Sequence, residues 1–185
     1  MRKPIKGTVM HSYPGMVALV TAHSNGNNNI MAAGWHTYIS IEPPIYGVAI
    51  GKERYTHSLV KESNSFAINF LPYEKAEIIV RVGSISGREQ NKFEALGLPF
   101  EEGITISAPI LKDAYMAYEC KVIDQNTYGD HDWIVGEITE CYRDDAKFLA
   151  NGLPNFNEVS IPLYLGRSSF IKTDNEIAIE TFTKK

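Results

Sequence analysis

Two cysteines in 185 residues, Cys120 and Cys141, rule out a disulfide framework as the basis of the fold. Neither has a neighbouring cysteine or a paired histidine, so zinc and iron–sulfur spacings are missing too. Both fall in strand-like runs and are expected to be buried, reduced thiols. No stretch reaches the roughly 18 consecutive apolar residues of a membrane-spanning helix. Basic surplus is also lacking. A net charge of −4 argues against sequence-independent nucleic-acid binding, which needs a positive face. Arg2, Lys3 and Lys6 are followed by no apolar core or cleavage site, so a secretory signal is not expected and the cytoplasm is the expected compartment.

Several motifs are absent as well. There is no Gly-x-Gly-x-x-Gly, so a Rossmann dinucleotide domain is not indicated, and no Gly-x-Ser-x-Gly nucleophile elbow. The stretch from Gly47 to Lys52 mimics a P-loop, but it is one residue short, and Glu53 stands where Ser or Thr is needed. The five histidines lack metal-ligand spacing, and no metal is expected.

What is present points to β-structure. Runs at residues 16–23, 30–35, 36–41, 46–50 and 66–71 are apolar and β-branched, with the Asn-Gly turn 24–29 between the first two. Residues 56–61, with Thr56 as a cap, 73–82 and 91–96 show short helical patterns. Long strands are expected at 116–124 and 133–142 with a polar turn at 125–132 between them, and an extended stretch at 160–171. Strands outnumber helices about two to one and are joined by short turns. The expected fold is therefore mainly β with peripheral helices, an antiparallel barrel. One domain over 1–172 is expected, followed by 173–185 as a loose tail or an arm that docks on a partner subunit.

The most informative stretch joins the strand at 45–50 to Lys52, Arg54, Tyr55 and Thr56. Cationic and hydroxyl donors meet there just before a helix start, where free backbone N–H groups also favour negative charge. Read alone, the cluster suits a solvated turn as well as an anion site.

Five segments taken together carry a resemblance. They are Ala33-Gly34-Trp35-His36-Thr37-Tyr38-Ile39-Ser40-Ile41-Glu42-Pro43-Pro44, Gly51 to Thr56, Phe66 to Pro72, Ser86-Gly87-Arg88 with Lys92-Phe93, and Gly129-Asp130-His131 followed by Val135-Gly136-Glu137. In their order and spacing the chain resembles the flavin reductase-like family over roughly residues 10–172, its flavoredoxin branch most of all. The resemblance implies a Greek-key-like split β-barrel that binds FMN non-covalently, as a homodimer with the flavin at the subunit boundary. Trp35, His36, Thr37 and Ser40 would line the isoalloxazine edge, and Asn69, Phe70 and Leu71 its pyrimidine side. Lys52, Tyr55 and Thr56 would reach the ribityl phosphate, with Arg54 beside them and further donors from Ser86, Arg88 and Lys92. His131 would contact nicotinamide or flavin, and Tyr164 and Arg167 would close the site.

The function so implied is hydride transfer from NADH or NADPH to flavin, with electrons passed on to free flavin, iron, oxygen or a redox protein. Two alternatives stand beside it: a flavoredoxin-type electron-transfer module with little NAD(P)H activity, and a non-flavin barrel that only shares the scaffold.

Overall fold

The apolar runs at 16–23, 46–50 and 66–71 form strands buried almost throughout, whereas the run at 36–41 forms an exposed edge strand. In the computed structural model, which describes residues 1–8, 11 and 13–182, the chain begins with β1 (Gly15–Met16), β2 (Ala18–Ser24), β3 (Asn27–Ala33), β4 (His36–Ser40) and β5 (Ile45–Gly51). Helix α1 (Tyr55–Ser63) and β6 (Ser65–Phe70) follow, then α2 (Ala76–Ser84) and α3 (Lys92–Leu96). The second half holds β7 (Phe100–Glu102), β8 (Pro109–Leu111), β9 (Met116–Tyr128), β10 (His131–Arg143), β11 (Pro162–Gly166) and β12 (Ser169–Lys172). Among the described residues no helix is long and apolar enough to cross a membrane.

Seven strands make one sheet in the order β3-β2-β6-β9-β10-β5-β4, every pair antiparallel. Within it β6, β9, β10 and β5 lie side by side in that order, a Greek key. The two edge strands, β3 and β4, are consecutive in the chain and joined only by Gly34 and Trp35. This short link brings the two edges of the sheet close together, and Ala49 N–H donates to the Trp35 carbonyl at 2.9 Å, prolonging the β4–β5 pairing into the link. This is the expected mainly antiparallel barrel with few helices.

Side-chain alternation builds two cores from the same strands. Ala18, Val20 and Ala22 of β2 join Phe66, Ile68 and Phe70 of β6 and Ile134 of β10 inside the barrel. Val17 and Leu19 point the other way and pack with Ile30, Ile79, Val82 and Phe93 beneath α2 and α3.

Several boundaries depart from expectation. The polar stretch 125–132 is not a loose turn: β9 runs to Tyr128 and β10 starts at His131, leaving Gly129 and Asp130 as the turn. This end of the hairpin is largely solvated, so polar residues there satisfy strand geometry. The Asn-rich segment enters its strand at Asn27, not Ile30. Helix α1 begins at Tyr55 with Arg54 as N-cap, and Thr56 is fully buried inside it and does not cap it. Cys120 is buried as expected, but Cys141 is exposed; both thiols are free. Thr173 is buried and bonded to Ile161, whereas 174–182 carry no helix or strand; residues 183–185 of the expected tail, like residue 10 at the other margin, lie outside the described residues.

Candidate functional site

The seam where the sheet fails to close holds a cavity of about 470 Å³, within the range of roughly 300–1,000 Å³ typical of small-molecule sites. Two of its walls are strands: Asn29 and Met31 to Ala33 come from β3, and Ala49 and Gly51 from β5. Further lining comes from the start of α1 and the residues just before it, the end of α2, the following loop to Gly87, Lys92 of α3, and Tyr13, Trp35 and His131.

Lys92 is 5% exposed, and its ammonium donates to the carbonyls of Ile30 at 3.0 Å and Val82 at 2.8 Å. Among the described residues no carboxylate forms an ion pair with it. Burial, and then the nearby Arg54 cation, push its pKa down to about 8. A buried ammonium facing a cavity is a strong attractor for an anion. Beside it, the Thr56 hydroxyl accepts from Asn29 Nδ2 at 2.9 Å. The other amide atom, Asn29 Oδ1, is buried without a partner. Gly87 presses on that amide, and a Cβ there would fall 2.0 Å from Asn29 Oδ1, so only glycine fits. No side chain caps the N-terminus of α1, and no acidic residue occupies its first turn, so its N–H groups favour negative charge. At the rim Arg54 is paired with Glu53 at 2.9 Å, and the Arg88 guanidinium lies 5.1 Å from the centre of the Tyr55 ring.

Another part of the wall is aromatic. Trp35 and His131 place their ring centroids 5.0 Å apart. Asp130 accepts from His131 Nδ1 at 2.8 Å, which lowers the carboxyl pKa and fixes the ring. Behind this wall His57 Nε2 meets Asp132 Oδ2 at 2.7 Å.

Of the residues singled out from the sequence, the cavity brings together Trp35, Arg54, Tyr55, Thr56, Ser86, Lys92 and His131. Others sit elsewhere. The Lys52 ammonium donates to the Gly129 carbonyl at 2.9 Å, clasping the β9–β10 turn. His36 turns inward, bonding Tyr46 at 2.7 Å and the Met16 carbonyl at 3.1 Å, and its burial lowers its pKa. Asn69 is wholly buried, donating to Leu19 and accepting from Leu111 N–H at 2.8 Å, and Phe70 and Leu71 lie in the cores. Thr37 is exposed, Ser40 half-buried, and neither lines the cavity. Tyr164 lines an adjoining cavity, and Arg167 forms the β11–β12 turn. Sequence reasoning missed Asn29, Tyr13 and Glu53; Asn29 lies in the stretch that reads as a turn and in fact belongs to β3.

Comparison with known proteins agrees with this geometry. Residues 10–170 match the flavin reductase like domain. The FMN-binding protein of Thermus thermophilus, solved with bound cyclohex-2-enone, is 32% identical, with a TM-score of 0.84 and 97% of each chain covered. The flavoredoxin of Desulfovibrio vulgaris (Miyazaki F) is 27% identical with the same TM-score, covering 96% of this chain and 97% of its own. A ferric-chelate reductase (NAD(P)H) of Archaeoglobus fulgidus is 31% identical over 124 residues, 66% of this chain and 72% of its own. With its seam-lined antiparallel barrel and a domain match over nearly its full length, the chain belongs to the flavin reductase-like family.

Proposed function

We propose that this protein binds FMN non-covalently in the seam cavity and works as an oxidoreductase, drawing a hydride from NADH or NADPH and passing electrons to free flavin, iron or a redox protein. The observation that carries this reading is Lys92, a buried cation at the cavity with two carbonyl partners and, among the described residues, no carboxylate. A phosphate supplies the missing counter-charge. The Thr56 and Ser86 hydroxyls and the uncapped start of α1 add donors of the same kind. The unpartnered Asn29 Oδ1 and the glycine against it suit a close, hydroxyl-rich chain such as ribityl. Similarity to an FMN-binding protein and a flavoredoxin supports the same ligand.

When bound, FMN supplies the hydride and electron chemistry, so the chain need provide no general acid or base of its own. Its residues bind and orient. Lys92 and Thr56 anchor one part of the ligand, while Trp35 and His131 offer ring surfaces against another. With Nδ1 donating to Asp130, His131 keeps Nε2 for a carboxamide or flavin contact. Edge strand β4 leaves Tyr38 51%, Ile39 48% and, just beyond it, Ile41 89% exposed, an apolar margin suited to a second copy of the chain in a homodimer. The flavoredoxin similarity favours a second reading, an electron-transfer protein with little NAD(P)H turnover.

Titration of the purified protein with FMN and riboflavin tests the cavity assignment. FMN is expected to bind at least tenfold more tightly, and Lys92→Met to erase the difference; equal affinities in the native protein would refute the phosphate site. Stopped-flow mixing with NADH and NADPH then separates the readings, since bleaching within seconds belongs to the first alone.

A further inference from the structure

The three free bonding directions of the Lys92 nitrogen are unequally used. Two face the carbonyls of Ile30 at 3.0 Å and Val82 at 2.8 Å, and the third has no hydrogen-bond partner among the described residues, while the residue itself lines the first cavity. A neutral amine suits this arrangement as well as an ammonium does. Its two N–H groups go to the two carbonyls, and its lone pair takes the third direction. Burial, and then the nearby Arg54 cation, push the pKa down to about 8, so about a tenth of the group is free amine near pH 7.

The donors that share this cavity hold an anion. The Thr56 hydroxyl accepts from Asn29 Nδ2 at 2.9 Å and keeps its own proton to donate, and the Ser86 hydroxyl does the same after accepting from Arg88 N–H at 3.3 Å. The uncapped start of α1 lies with them. Asn29 is 2% exposed, and its Oδ1 has no partner, an acceptor left over among donors. A nucleophile and a phosphate cradle in one cavity select one kind of electrophile, a molecule whose leaving group is phosphate. Lys52 has the same side chain but is exposed, bonded to the single Gly129 carbonyl and absent from the cavity wall.

We propose that Lys92 is an acylation site for small acyl phosphates, which enter the cavity in place of flavin, and that the acylated protein loses its hold on FMN. The proposal rests on the FMN reading only in taking these donors to hold a phosphate group. In the step, the Nζ lone pair attacks the acyl carbon and an N–C bond forms. The C–O bond to the phosphoryl group breaks, and one amine proton leaves on the departing hydrogen phosphate. Asn29 Oδ1 offers an acceptor to that protonated oxygen. The product is a neutral amide with one N–H for two carbonyls and no cation to meet a phosphate.

The probe is acetyl phosphate, incubated with the full chain, and the readout is the rate at which each lysine gains an acetyl group in peptide mass spectrometry. Lys92 is expected to be labelled at least tenfold faster than the exposed Lys52, Lys61 and Lys121. Acetic anhydride, which carries no phosphate, should reverse that order. Saturating FMN or excess inorganic phosphate should slow labelling of Lys92 at least tenfold and leave the exposed lysines within twofold. The acetylated protein, shown by circular dichroism to be folded, should bind FMN at least tenfold more weakly and riboflavin within twofold of the untreated protein. Labelling of Lys92 no faster than that of the exposed lysines, no slowing by inorganic phosphate, or undiminished FMN affinity after acetylation would overturn the proposal. If inorganic phosphate protected Lys92 and FMN did not, the acylation site would stand and the FMN reading would fall.

Discussion

His57 Nε2 lies 2.7 Å from Asp132 Oδ2, joining the first turn of α1 to the start of β10. Both side chains are about nine-tenths buried, and their chain neighbours Thr56 and His131 line the cavity. The pair therefore fixes the spacing between two parts of the wall. Asp132 also accepts from the Thr127 hydroxyl and the Gln125 amide, both at 2.6 Å.

Replacing Asp132 by Asn should cost about 2–3 kcal/mol at neutral pH, because a buried acceptor of charge-assisted bonds is lost and its donors are left facing an amide. The Thr127 hydroxyl first, and then His57, hold the carboxyl pKa well below the usual carboxylate range. A lowered carboxylate pKa stabilises the fold above the unfolded value near 4, and that contribution is lost as pH falls through the folded value. Urea denaturation should thus show the two proteins converging as pH drops below about 4.

Lys92 gives FMN affinity its own pH dependence. The ammonium pKa is pushed down to about 8 in the free protein, and an anionic ligand stabilises the protonated form. Affinity should accordingly hold below pH 8 and fall above it, by at most about tenfold per pH unit. Lys92→Met should flatten this profile when fluorescence titrations are run from pH 6.5 to 9.5.

Gly47 is the landing surface of Trp133. A Cβ at this position would sit 2.2 Å from Trp133 Cζ2 and 2.7 Å from Ile39 Cδ1. Gly47→Ala forces the indole off β5 and should destabilise by about 1–3 kcal/mol, seen as a lower denaturation midpoint at unchanged slope.

Tyr115→Phe should go the other way. The Tyr115 hydroxyl is buried without a hydrogen-bond partner, so deleting it removes a desolvated polar group and leaves the ring packing near Phe70 and Phe148 in place. A gain of up to about 1 kcal/mol in thermal or chemical denaturation is expected.

The strands and helices were legible where apolar period and burial coincide, as in β2, β5 and β6. They were less legible at 125–132, where a solvated hairpin tip needs strand geometry but no apolar side chains. The site shows the same division. Thr56 and Lys92 stand out by chemistry and reach the cavity, yet Lys52 carries the same chemistry and is spent on the Gly129 carbonyl. Local sequence gives an ammonium its charge, but only the fold says which carbonyls it finds. His57 and Asp132 lie far apart in the chain, and no spacing pattern links them.

Lys92 also has a consequence for β3, the last strand of its sheet. Strand edges with free backbone groups invite pairing with other molecules, and a helix laid over the edge is one way to block it. By donating both to the Ile30 carbonyl of β3 and to the Val82 carbonyl of α2, the buried lysine ties that cover to the strand. The residue proposed to grip a phosphate would then also hold the helices on the sheet, so its loss would be felt as lower stability even where no flavin is present.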